Sequence, residues 1–151
     1  QDTLLGWFKD VAIHPDRLIL QPRCHLLDYL KLHHQVDLCL DAFPYTGGTT
    51  TNHGLWMGVP TLTLAGQTPA SRQGASLMGH VGLPQFIAHS EAEFVEKGLY
   101  WAGHLTELAA IRAGLRQRWN ASAIGQPALV AEGIANALRT MWQGWCGVHP
   151  L

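Results

Sequence analysis

The chain is short of charge, of basic excess and of any long apolar run. Asp, Glu, Lys and Arg make up only 14% of its 151 residues, against 47% apolar residues. Ten Lys and Arg against eleven Asp and Glu leave a net charge of -1. That removes the basic field needed to hold a nucleic-acid backbone, so no nucleic-acid partner is expected. No apolar run approaches the roughly 20 residues needed to cross a bilayer, so no membrane partner is expected either. The first residues do not read as a signal peptide. Three cysteines (Cys24, Cys39 and Cys146) without C-x-x-C spacing read as buried, reduced thiols of a cytoplasmic protein. The histidines are numerous but badly spaced for a metal. His33 and His34 are adjacent and point apart on a helix, and His25, His80, His89, His104 and His149 stand alone. So little charge on one domain's length of chain suggests that another domain covers part of the surface.

What is present is an alternation of short apolar strands and amphipathic helices. Thr3 to Ala12 reads as a helix, with Leu4, Leu5, Phe8 and Val11 at helical spacing. Strands are expected at 17–21, 36–40, 60–64 and 85–88, and helices at 25–34, 49–57 and 70–78. Leu26, Leu27, Leu30 and Leu32 should face the core. Ser90-Glu91-Ala92-Glu93 is a capping box that starts a helix running to about Trp101. Leu105, Leu108, Ile111, Leu115 and Trp119 form the stripe of the next helix. Pro127 suits the first turn of a last helix, striped by Ala131, Ile134, Leu138, Met141, Trp142 and Trp145. Alternation of this kind predicts an α/β fold, a Rossmann-like parallel sheet with helices on both faces. Such domains usually open with a strand and this chain opens with a helix, so at least one upstream strand is expected.

The densest stretch is "DLCLDAFPYTGGTTTNHGLWMGVPTLTL", Asp37 to Leu64. In an open parallel sheet, ligands bind beyond the carboxyl ends of the strands. Asp41 to Gly48 falls there, and the helix beginning near Thr49 aims its N-terminus at the same place. Free N–H groups and the positive end of the dipole favour an anion. Gly47 and Gly48 let the backbone come close. The hydroxyls of Thr49, Thr50 and Thr51 can cap the helix or donate to phosphate oxygens. The letters fit a diphosphate cradle; they also fit a plain turn with a cap. They are neither a Walker loop nor a G-x-G-x-x-G fingerprint. Asp41 can contact a sugar or fix the loop, Tyr45 can line a sugar pocket or pack, and Arg72 can border the pocket or pair with the sheet edge.

The stretch from Asp37 to Ser76, "DLCLDAFPYTGGTTTNHGLWMGVPTLTLAGQTPASRQGAS", resembles the C-terminal catalytic lobe of the O-GlcNAc transferases, a group that includes the SPINDLY-type protein fucosyltransferases. The resemblance runs from "HPDRLIL" to the last helix. It implies the C-terminal lobe of a GT-B glycosyltransferase, with the N-terminal lobe and tetratricopeptide repeats upstream. It implies inverting transfer of GlcNAc from UDP-GlcNAc to Ser or Thr of proteins, with no metal and no cofactor beyond the donor. The family's catalytic Lys and its proposed base would lie upstream of Gln1, so no catalytic residue is assigned here. Thr49 and Thr50 match the threonines that hold the diphosphate, and Gly47 and Gly48 match the loop beneath it. Animal members have His in place of Gly48. His53 stands where those members have a ribose-binding Asp. Cys24, His25 and Leu26 match the turn that frames the uracil, Leu26 replacing a Lys. Tyr29 replaces a base-stacking His and keeps an aromatic face. Ser71-Arg72 favours UDP-GlcNAc over GDP-fucose. The last helix is expected to pack across the two lobes. A nucleotide-sugar-binding module without turnover is the alternative from another class.

Overall fold

The computed structural model describes residues 2–148. Its helices are α1 (Asp2–Asp10), α2 (Leu26–Leu32), α3 (Thr49–Trp56), α4 (Gln73–His80), α5 (Glu91–Gly103), α6 (Leu105–Ala121) and α7 (Pro127–Val148). The strands are β1 (Cys39–Leu40), β2 (Thr61–Leu64) and β3 (Ile87–Ala88). They form one parallel sheet in the order β1-β2-β3, with Cys39 opposite Thr61 and Thr63 opposite Ile87.

Successive β2 side chains point to opposite faces, and the helices divide accordingly. Gly74 of α4 lies against Thr63, and Gly54 of α3 lies near Thr61. Gly98 of α5 lies against Leu62, on the other face. The sheet is therefore covered on both sides, as an α/β fold requires. The core gathers Leu55, Met78, Val81, Leu83, Phe86, Trp101, Leu108 and Leu115. The Phe86 and Trp101 rings stack with centroids 4.5 Å apart.

Two glycines end the helices that lead into this core. Gly58 (φ +79°) and Gly82 (φ +70°) take the left-handed conformation just after α3 and α4. In each case the next residue's N–H reaches back to close the helix, Val59 to the Gly54 carbonyl and Leu83 to the Met78 carbonyl. Val59 and Leu83 are then fully buried. Arginines of α6 clasp the same two corners. Arg112 Nε donates to the Gly58 carbonyl at 3.0 Å, Arg116 Nε to Trp56 at 2.7 Å, and Arg118 Nη1 to Gly82 at 3.5 Å. Cations suit helix C-termini, and Arg116 also lies over the Trp56 ring.

Five expectations fail. The strand at 17–21 does not form: Pro15–Arg17 is a single 3-10 turn, the residues after it are irregular, and Ile19 is exposed. Pro22 stops the segment, and an isolated strand leaves its backbone groups unpaired. Leu26 and Leu27 face solvent rather than the core, and so does Leu105. None of the three cysteines is buried as expected: Cys24 is exposed, and Cys39 and Cys146 are half-buried. The capping box is half made. Ser90 accepts from the Glu93 N–H at 3.1 Å, but Glu93 Oε2 accepts from the His89 N–H, held there by Lys97 at 2.8 Å. These contacts hold the Glu93 carboxyl below its ordinary pKa, the Lys97 hydrogen bond being the main cause.

The strands at 36–40 and 85–88 shorten to two residues each, the second because Pro84–Phe86 winds into a 3-10 turn. α7 starts at Pro127 as expected, but its apolar stripe lies on the surface, Ile134, Leu138, Met141, Trp142 and Trp145 all being exposed. Among the described residues, no helix is long and apolar enough to cross a membrane.

Candidate anion-binding site at the carboxyl edge of the sheet

The loop after β1 is fastened by one carboxylate. Asp41 Oδ1 accepts from the Gly47 N–H at 2.7 Å and Oδ2 from the Thr63 hydroxyl at 2.8 Å. Asp41 thus fixes the loop, the second of its two expected roles. Thr46 is fully buried and fixes the loop's other flank. Its Oγ1 donates to the Ala70 carbonyl at 2.9 Å and accepts from the Gly74 N–H at 3.2 Å. Gly74 cannot carry a side chain, because a Cβ would stand 2.2 Å from Asp41 Oδ2.

On this footing α3 begins at Gly48, with no side-chain cap. The buried Thr51 spends its hydroxyl on the Gly47 carbonyl at 2.9 Å, which leaves Thr49 and Thr50 as the exposed hydroxyls of the first turn. Asn52 braces the turn from behind. Its Nδ2 donates to the Gly48 carbonyl at 3.1 Å and its Oδ1 accepts from Trp119 Nε1 at 2.9 Å. The uncapped N-terminus, two glycines and two free hydroxyls form a concave patch of donors, which is suited to an anion.

Three hollows run along the carboxyl edge. A recess of about 170 Å³ holds Tyr29, Cys39, Asp41, Thr50 and Thr61. A second, of about 570 Å³, is lined by Asp41, Tyr45, Gly47, Gly48, Thr49 and Gln73. The largest, of about 740 Å³, is lined by Gly48, Asn52, Arg72, Gln73, Ser76 and His89. Asp41 and Thr50 join the first two; Gly48 and Gln73 join the last two.

His53 meets the Tyr29 ring edge-on at 5.7 Å, and its Nδ1 is buried with no hydrogen-bond partner among the described residues. A buried polar atom in that state is costly unless something supplies the partner. Burial raises the Tyr29 hydroxyl above its usual pKa, with a smaller push from Cys39. Burial is also the main cause of the raised Cys39 thiol, the nearby Arg112 opposing it.

Gly47, Gly48, Thr49, Thr50, Asp41 and Tyr45 thus come together, with Tyr29 beside them and His53 against Tyr29. Tyr45 is 71% exposed, so the packing role is not found. Cys24, His25 and Leu26 surround a separate hollow with Arg23. Arg72 borders the largest cleft and donates to the Gly66 carbonyl at 3.1 Å, rather than pairing with a carboxylate. Among the described residues no three His, Cys, Asp or Glu gather as metal ligands; His149 lies outside them.

Sequence reasoning missed Thr46, Thr63, Asn52, Gln73 and Gly74. The alternation T-L-T-L in β2 was a signal for Thr63, because it sets a hydroxyl row opposite a leucine row.

A model of glycosyl transferase family 41 matches residues 2–129. A rice protein named "Probable UDP-N-acetylglucosamine--peptide N-acetylglucosaminyltransferase SPINDLY" is 36% identical over 97% of this chain and 16% of its own length. An Arabidopsis thaliana protein of the same name is 37% identical over 79% of this chain and 13% of its own length. The solved structure of a Thermobaculum terrenum O-GlcNAc transferase mutant, K341M, superposes with a TM-score of 0.87 and 31% identity, covering 97% of this chain and 28% of that one. The chain therefore spans about a sixth of the rice relative it matches. Over the extent of that match, this chain belongs to glycosyl transferase family 41.

Proposed function

We propose that this chain is the donor-binding lobe of a protein O-GlcNAc transferase, holding UDP-GlcNAc while GlcNAc passes to Ser or Thr hydroxyls of proteins. The observation that carries the reading is the uncapped N-terminus of α3, set on the Asp41–Thr46 bracket with Thr49 and Thr50 exposed. In this reading the first-turn N–H groups and the two hydroxyls hold the diphosphate, and Tyr29 faces the base. A ribose hydroxyl partners the orphaned Nδ1 of His53. Cys24, His25 and Leu26 frame the uracil edge.

The chemical role of this lobe is leaving-group stabilisation. As the anomeric C–O bond breaks, charge builds on the diphosphate, and donors already fixed around it lower the barrier without reorganising. Inversion and independence of metal complete the proposal. An upstream lobe, repeats and the catalytic Lys are proposed to complete the enzyme, working in the cytoplasm, with the apolar stripe of α7 packing across the lobes. The relatives' names print UDP-N-acetylglucosamine, and Ser71-Arg72 speaks for the same donor; the resemblance to SPINDLY-type fucosyltransferases keeps GDP-fucose as the alternative.

The test is a transfer assay on the full-length protein with labelled UDP-GlcNAc or GDP-fucose, with and without EDTA. EDTA-resistant labelling of protein Ser or Thr from UDP-GlcNAc is expected. Labelling from GDP-fucose alone would reassign the donor. Tight nucleotide binding without any transfer would make the chain a regulatory binding module.

A further inference from the structure

The residue at the junction of the two larger clefts is Gln73, the first residue of α4. Its Oε1 lies 2.5 Å from the point where a Cβ on Gly48 would stand. The side chain therefore crosses directly over the start of α3, in space that any other residue at 48 would claim. The amide makes no hydrogen bond to a described residue and is exposed. A half-turn of the terminal amide exchanges its oxygen for its two N–H donors. Among the described residues no hydrogen bond holds the amide against that turn.

The backbone beneath it is firmly held. The neighbouring Gly74 N–H is bonded to the buried Thr46 hydroxyl, and Gly74 is pressed against Asp41 and Thr63. Among the described residues, the one Lys or Arg lining these two clefts is Arg72, and it is turned to the Gly66 carbonyl. The motif itself supplies no Lys or Arg. Any anion seated on Gly47 and Gly48 is thus left for neutral donors to complete, and Gln73 is the one that α4 places over Gly48.

We propose that Gln73 contacts the donor, its side-chain amide donating to the distal phosphate of the nucleoside diphosphate sugar; this rests on the donor-binding reading above. The order of the hollows sets which phosphate it meets. A nucleoside in the Tyr29 recess reaches Thr50 first, then the glycines, then Gln73. Gln73 therefore meets the phosphate that carries the sugar and leaves with the charge. It acts as a lid on the cradle supplied by a neighbouring helix.

The experiment is calorimetric titration of the full-length protein and its Gln73→Ala, Gln73→Glu and Thr50→Ala variants with UDP and with UMP, which lacks the distal phosphate. Gln73→Ala is expected to weaken UDP about tenfold, the scale of one hydrogen bond to a charged group. Gln73→Glu should weaken UDP further through like charge, and neither variant should change UMP. If both variants bind UDP like the parent while Thr50→Ala does not, Gln73 has no such role and the cradle stands. If UMP falls as far as UDP, the contact is not to the distal phosphate. If the parent ignores UDP altogether, the donor-binding reading fails and Gln73 falls with it.

Discussion

The middle of the chain and its two flanks obey different rules. From β1 to the end of α6 every element packs on another, and the buried core lies wholly within it. α1 buries no residue, Leu26 and Leu27 of α2 face out, and the apolar stripe of α7 lies on the surface. The flanking helices α1 and α7 are more clearly amphipathic than the packed α3 and α6. Periodicity says which residues share a face, and it does not say what the face meets. The candidate site sits on the packed region, where Asp41, Thr46 and Thr63 can hold a loop to within a hydrogen bond.

Substitutions can break that comparison. The largest effect is expected at Phe86, fully buried and stacked on Trp101. Phe86→Ala should cost about 3–5 kcal/mol in denaturant unfolding, while Leu138→Ala in α7 should cost this chain under about 0.5 kcal/mol. Equal losses would dissolve the distinction between core and flank. Asp41→Asn comes next. It removes the charge that accepts from Gly47 and Thr63, and should cost about 1.5–3 kcal/mol and loosen the loop. An unchanged unfolding midpoint with unchanged UDP affinity would remove Asp41 from its bracketing role.

Gly82→Ala should cost about 1 kcal/mol through its left-handed φ alone, with ligand binding intact. The smallest effect belongs to Glu93. Its folded pKa is depressed, so its stabilisation is present above the ordinary carboxylate range and is lost as pH falls through the lowered value. The stability gap between the parent and Glu93→Gln should therefore close on acidification; a gap constant with pH would contradict the Lys97 and His89 contacts.

The sequence made the fold class legible because alternation of strand and helix leaves few topologies. It singled out the glycine-threonine loop as a candidate through its glycines and hydroxyls, while the same letters also fit a plain capped turn. It hid the supports. Asp41 and Thr46 serve the loop through partners 22 and 24 residues away, Thr63 and Ala70, and although T-L-T-L marks Thr63 as facing one side, no local pattern says which residue it pairs with. It hid Gln73 for the same reason. The residue lies over Gly48 only once α4 is packed beside α3. Residues 17–21 misled because an apolar run was read as a strand without a neighbour to pair with. Cys24, His25 and Leu26 share a hollow apart from the threonines, and their part in base recognition rests on the family resemblance.

The central claim is that the start of α3 holds a nucleoside diphosphate. The measurement that tests it most directly is calorimetric titration of the full-length protein and Thr50→Ala with UDP and with GDP, without added metal. The account expects UDP to bind, GDP to stay silent and Thr50→Ala to lose about tenfold in UDP affinity. No UDP binding by the parent, or equal binding by Thr50→Ala, would contradict it.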